Sequence, residues 1–169
     1  RKRMIQFLDI REINNRHKDL LFDAFNQVLD AGWFIMGKNL ERFENEFAKY
    51  CGVKHCIGVA NGLDALILIL EAYKEMGIMQ DGDEVLVPSN TYIASILAVT
   101  KAGLTPVLIE PDPATYLIYP KKKKKKISAK TKAILPVHLY GRLCQMDAIR
   151  DMAEKYQLKI VEDCAQSHG

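Results

Sequence analysis

From residue 55 onward, short β-branched apolar runs alternate with stretches of helical periodicity, and no other feature restricts the possible folds as much. The runs are "CIGVA", "EVLVPS", "PVLIE", "KAILPVHLY" and "LKIVED". Helical spacing covers Gly62 to Met76, Thr91 to Ala102 and Gln145 to Tyr156. Strands separated by helices cannot pair as tight hairpins. They predict an α/β fold whose mostly parallel sheet is covered by helices on both faces, a three-layer sandwich with right-handed crossovers. Such sheets bind ligands beyond the carboxyl ends of their strands, so the strand exits are where function is expected.

The first 54 residues read as helices instead. "RHKDLLFDAFNQVLDAG" sets Leu20, Leu21, Ala24, Phe25, Val28 and Leu29 on one face, with Gly32 as a stop. "NLERFENEFAKYCG" repeats the pattern with Leu40, Phe43, Phe47 and Tyr50, closed by Gly52. Between them "GWFIMG" is an aromatic loop bracketed by glycines. A helical segment over 1–54 and a sheet-bearing segment over 55–169 are therefore expected.

Composition removes several function classes. A length of 169 residues suits one sizeable core, and 49% hydrophobic with 27% charged residues is ordinary for a globular protein. The net charge of +3 rests on the run Lys121 to Lys126. Without that run the balance is slightly acidic, so no nucleic-acid-binding surface is implied. No apolar run approaches the roughly 20 residues of a membrane helix. "RKRMIQFLDI" turns polar too soon for a signal peptide, and Met4 is a candidate start. Cys51, Cys56, Cys144 and Cys164 lie in hydrophobic context with no CxxC pair or matching His spacing. Buried reduced thiols in a cytoplasmic protein are expected, not a metal site or a disulfide.

Four strand exits carry chemistry. After "CIGVA", Asn61 and Gly62 turn straight into a helix, whose unpaired amides and positive dipole end suit a phosphate, although taken alone these residues read more readily as a plain strand–helix connection. Neither GxGxxG nor GxxxxGK[ST] is present, which counts against dinucleotide and P-loop sites. After "EVLVPS", Asn90 or Thr91 can cap a helix with Tyr92 in its first turn, either a partly buried ring or a platform for a flat cofactor. "ILPVHLYG" places His138 and Tyr140 at a third exit, where a lone His is commonly structural. "LKIVEDCAQSHG" puts Asp163 at a strand tip with Gln166 and His168 just beyond. A carboxylate there either caps a following helix or answers a cation. Taken jointly, the four exits gather a phosphate cradle, a stacking ring, a carboxylate and an amide. Pyridoxal 5′-phosphate has a phosphate, a flat cationic ring and a phenolic oxygen that would use all of them.

The segments "GWFIMGKNLERFENEFAKYCGVKHCIGVANGLDAL", "GDEVLVPSNTYIASILAV", "AGLTPVLIEPDPATYLI", "TKAILPVHLYGRLCQMDAI" and "IVEDCAQSHG" resemble, in order and spacing, the DegT/StrS-type sugar aminotransferases, pyridoxal-phosphate enzymes of fold type I. The resemblance covers essentially the whole chain. It implies that residues 55–169 are the first part of an aspartate-aminotransferase-like large domain. It implies further that Gly62 and Leu63 offer backbone amides to the cofactor phosphate, that Tyr92 stacks on the pyridine ring and that Asp163 pairs with the ring nitrogen. Gln166 would contact the phenolic oxygen, and His138 would line the sugar pocket. Relatives often carry Thr where Leu63 stands, so a hydroxyl contact is absent here. The family's Schiff-base lysine lies beyond "EDxAQ", so the resemblance places it, and a small C-terminal domain, outside this sequence. An N-terminal portion of an enzyme about twice the 19.2 kDa of this chain is the expectation. The lysine run departs from the family, and without an apolar anchor residues 119 to 127 are expected to be mobile.

The implied reaction moves an amino group from L-glutamate to a keto group of a nucleotide-linked deoxysugar, dTDP or UDP, for amino-sugar or cell-surface polysaccharide biosynthesis. "NGLDAL" and "NTYIAS" lean towards dTDP-linked 3-keto-6-deoxyhexoses. A homodimer is expected. A sugar 3-dehydratase of the same superfamily, or a non-catalytic regulatory protein on this scaffold, would share every motif quoted.

Overall fold

Helices form where the periodicity and the stop signals place them. In the computed structural model, which describes residues 5–118 and 126–168, α1 (Ile10–Asn15) is capped by Asp9, whose carboxylate accepts from the Glu12 amide at 3.0 Å. Helices α2 (Lys18–Ala31) and α3 (Lys38–Cys51) end at Gly32 and Gly52, with φ of 62° and 66°. A side chain at either would strain that left-handed turn. In the loop between these helices Trp33 Nε1 donates to the Ile35 carbonyl at 2.6 Å. Residues 1–58 form one compact unit. Of its described residues only Ala48 is buried.

Residues 59–169 form the second unit, and it carries the sheet. Its elements are α4 (Gly62–Glu75), β1 (Glu84–Pro88), α5 (Ile93–Lys101), β2 (Thr105–Ile109), β3 (Thr131–Ile134), a 3₁₀ turn (Leu139–Gly141), α6 (Met146–Tyr156) and β4 (Lys159–Ile160). The strands lie in the order β2-β1-β3-β4, and each neighbouring pair is parallel. Alternation along each strand divides the core in two. Val85, Val87, Ala133, Leu135 and Val137 pack with Leu66 and Leu70 of α4 and Ala98 and Val99 of α5. Leu86, Ile109 and Ile134 pack on the other face with Ile149, Met152 and Ala153 of α6. This is the expected helix–sheet–helix arrangement. Among the described residues no helix is long and apolar enough to cross a membrane.

Several sequence expectations are corrected. "CIGVA" (56–60) is in no ladder, because a strand exists only through a partner and none lies beside it among the described residues. Helix α5 begins at Ile93, with Tyr92 itself in the extended N-cap position (φ −60°, ψ 142°), one step before the first turn. Cys144 is buried, but Cys51 and Cys164 are exposed. Cys51 is the last residue of α3 and Cys164 follows the sheet, so neither faces a core layer. The mobility expected for 119–127 falls on residues outside the described set apart from Lys126 and Ile127. Of these, Lys126 Nζ donates to the Leu108 carbonyl at 2.9 Å and Ile127 packs against the α6-side core.

Candidate active site

The carboxyl end of the sheet gains its geometry from a proline. Pro136 has no N–H, so the β3 ladder stops before it, yet its carbonyl accepts from Asp163 N at 2.9 Å and His138 N donates back to the Asp163 carbonyl at 3.2 Å. The Val137–Asp163 bridge thus carries two strand tips forward together. They open into a cavity of about 550 Å³. Gly62, Leu63, Tyr92, His138, Asp163 and Gln166 all line it, with Asn61, Thr91 and an apolar wall that includes Leu66, Leu97 and Val137.

Each polar group in the cavity is oriented by a nearby element. Asn61 caps α4, its Oδ1 accepting from Asp64 N at 2.9 Å while its Nδ2 donates to the Asp64 carboxylate at 2.9 Å. The remaining first-turn amides, of Gly62 and Leu63, have no acceptor within the described chain. A Cβ built on Gly62 would meet nothing within 4 Å, so open space lies beside its amide. Tyr92 is 77% exposed. Asp163 is half-buried and its carboxylate accepts twice, from Ser95 Oγ at Oδ2 (2.9 Å) and from Ala165 N at Oδ1 (3.1 Å). Gln166 Oε1 accepts from Tyr140 N at 2.7 Å. Tyr140 reaches that position in the left-handed region, φ 59°, a conformation that costs a non-glycine residue roughly 1–2 kcal/mol.

His138 is 1% exposed and both ring nitrogens are engaged. Cys144 N donates to Nδ1 at 3.1 Å, so Nδ1 is bare and the proton sits on Nε2, which donates to Glu162 Oε2 at 2.9 Å. This tautomer decides how the nearby cluster of His138, Glu162 and Cys164 behaves, although their ligand atoms lie within 4.8 Å of one another. Coordination through Nε2 would move the proton to Nδ1 and set it against the Cys144 N–H. The pair is therefore better described as a hydrogen bond from the buried His138 ring to the exposed Glu162 carboxylate than as part of an ion site. Burial also pushes the Cys144 thiol up to about 11, which keeps it neutral.

The motifs named in the sequence converge here, but Ser95, Glu162 and Cys144 did not stand out in it. A signal existed for Ser95, since Thr91 and Ser95 are spaced i, i+4 beside an apolar helix face. Glu162 becomes the partner of His138 only through the register of the strand tips.

Comparison with known proteins gives a consistent picture. Residues 15–169 match the model of the DegT/DnrJ/EryC1/StrS aminotransferase family. A dTDP-3-amino-3,6-dideoxy-alpha-D-galactopyranose transaminase from Aneurinibacillus thermoaerophilus is 58% identical over 166 residues, 98% of this chain and 45% of that protein. Among solved structures, DesV of Streptomyces venezuelae superposes with a TM-score of 0.90 at 45% identity, over 98% of this chain and 43% of that one. NtdA of Bacillus subtilis, with bound cofactor PMP, has a TM-score of 0.88 at 35% identity, over 99% and 39%. The chain thus spans less than half the length of each of these relatives.

Proposed function

Because the chain belongs to the DegT/DnrJ/EryC1/StrS aminotransferase family, we propose that it forms the cofactor-binding portion of an enzyme that moves an amino group from L-glutamate to a keto group of a nucleotide-linked deoxysugar, using pyridoxal 5′-phosphate. The observation that carries this reading is the content of one cavity: an unpaired helix end, an aromatic ring, a carboxylate and an amide. The 58% identity to a dTDP-sugar transaminase favours a dTDP-linked 3-keto-6-deoxyhexose as acceptor. A cytoplasmic homodimer serving amino-sugar or polysaccharide biosynthesis completes the proposal, in which residues 55–169 begin the large domain.

The residues fit the cofactor on four counts. The free amides of Gly62 and Leu63, with open space beside Gly62, suit the phosphate. The ring of the exposed Tyr92 suits the face of a pyridine. Asp163 keeps acceptor capacity on both oxygens after its two bonds, so it can hold a proton on the ring nitrogen. Tyr140 N occupies the amide oxygen of Gln166, which turns the NH₂ end into the donor for a phenolic oxygen. When bound, the cofactor supplies a protonated ring that withdraws electrons from the substrate bond being broken. Leu63, Leu66, Leu97 and Val137 give that region an apolar wall. His138 borders the cavity, and a direct sugar contact would require it to release Glu162 or Cys144.

The test uses the full-length protein with pyridoxal 5′-phosphate, L-glutamate and a dTDP-3-keto-6-deoxyhexose. Mass spectrometry is expected to find the amino sugar, and Asp163→Asn should reduce turnover about a hundredfold, the equivalent of one charge-assisted bond. A product that has lost a hydroxyl without gaining nitrogen would identify a dehydratase. No change in visible absorbance on adding glutamate would identify a non-catalytic protein. Full turnover by Asp163→Asn would overturn the site assignment.

A further inference from the structure

Ser95 sits on α5, 68 positions before Asp163 in sequence, and is 1% exposed. It does not border the cavity and so touches no ligand there. Its hydroxyl makes two bonds, to Asp163 Oδ2 at 2.9 Å and to Thr91 Oγ1 at 2.9 Å. Proton counting fixes their direction. An ionised carboxylate can only accept, and a serine hydroxyl has one proton. That proton goes to Asp163, so the Thr91 hydroxyl must donate to Ser95. The result is a one-way chain, Thr91 to Ser95 to Asp163, that starts just ahead of the N-cap of α5 and ends on the carboxylate.

Resting on the reading of the cavity as a pyridoxal-phosphate site, we propose that Ser95, backed by Thr91, is a positioning residue for the cofactor's ring nitrogen and acts wholly through Asp163. Two donors from different segments hold the carboxylate, Ser95 at Oδ2 and Ala165 N at Oδ1. Together they stop rotation of the carboxyl plane and leave one acceptor direction on each oxygen for the ring N–H. Hydrogen bonds in such a chain polarise one another, so the Thr91 bond strengthens the grip of Ser95. Removing the Ser95 hydroxyl frees the carboxylate to rotate and leaves Thr91 without its acceptor.

The experiment is a double-mutant cycle in the full-length protein, read as the dissociation constant of pyridoxal 5′-phosphate by absorbance titration. Ser95→Ala is expected to weaken binding about tenfold, in the range of a bond to a charged group. Ser95→Thr, which keeps a hydroxyl, should restore most of that loss. Thr91→Val should weaken binding by a smaller factor. In an Asp163→Ala background, Ser95→Ala should change the constant by less than about twofold, because the two act as one unit. Should Asp163→Ala not fold, Asp163→Asn takes its place, and the effect of Ser95→Ala should shrink for want of a charged acceptor. An equal loss with and without the carboxylate would make Ser95 an ordinary packing residue and overturn the inference. If Asp163→Ala itself left cofactor affinity unchanged, the cofactor reading would fail; if it weakened affinity while Ser95→Ala did not, only the role of Ser95 would.

Discussion

At the scale of single residues, His138 separates what a motif suggests from what a neighbourhood permits. Its position at a strand exit was readable, as were those of Asp163 and Gln166. The direction of its ring was not, because it is fixed jointly by Cys144, six residues on, and by Glu162 on the neighbouring strand tip. A neutral imidazole donating to a carboxylate can donate equally to an amide oxygen. Glu162→Gln is therefore expected to change the unfolding free energy by less than about 1 kcal/mol. His138→Ala should cost about 3 kcal/mol, since it opens a buried space and strands the Cys144 amide. Denaturant unfolding of both variants checks the pair. A loss for Glu162→Gln as large as that for His138→Ala would mean a charged pair and would overturn the tautomer. For Ser95 the sequence offered only spacing, and its meaning depends on which strand tip α5 faces.

Among secondary-structure elements, period and punctuation were legible wherever local chemistry decides the outcome. Helices α2, α3, α4 and α6 lie close to their expected spans because apolar spacing, glycine stops and the Asn61 cap act within one turn. Pairing was less legible, since a ladder is a property of two segments. "CIGVA" has strand composition but no neighbour, and Pro136 shortens β3 while the pairing resumes beyond it. The opposite end of the sheet has its own tie. Ser128 Oγ donates to Glu84 Oε2 at 2.6 Å and Thr131 Oγ1 donates to the same oxygen at 2.8 Å, where β1 and β3 begin. The Ser128 bond, then the Thr131 bond, hold the Glu84 carboxyl below its usual 4.5. A lowered folded value stabilises the protein above the unfolded one, and that share is lost as pH falls through the folded value. Ser128→Ala should therefore lower stability at neutral pH, and the gap between variant and parent should close under acid. Denaturant midpoints at neutral pH and well below 4.5 measure it. A gap that persists in acid would place the stabilisation elsewhere.

For the whole molecule, the two units differ in how much apolar surface they cover. Residues 59–169 bury both faces of their sheet, as the alternation of strand and helix required. Among the described residues up to 58 only Ala48 is buried, while Leu20, Leu21, Phe25, Trp33 and Phe34 are each more than half exposed. The helical stripes of this segment were legible, but a stripe states that a face wants cover without stating what covers it. Isolated exposed apolar residues are ordinary; this many on a few adjoining helices and loops are not. Expressed as these 169 residues alone, the chain is expected to self-associate and to bind a hydrophobic dye. The full-length protein should run as one discrete species with little dye fluorescence. Light scattering at two concentrations distinguishes the cases. A monodisperse particle of 19.2 kDa that leaves the dye dark would show that the N-terminal helices need no further partner surface.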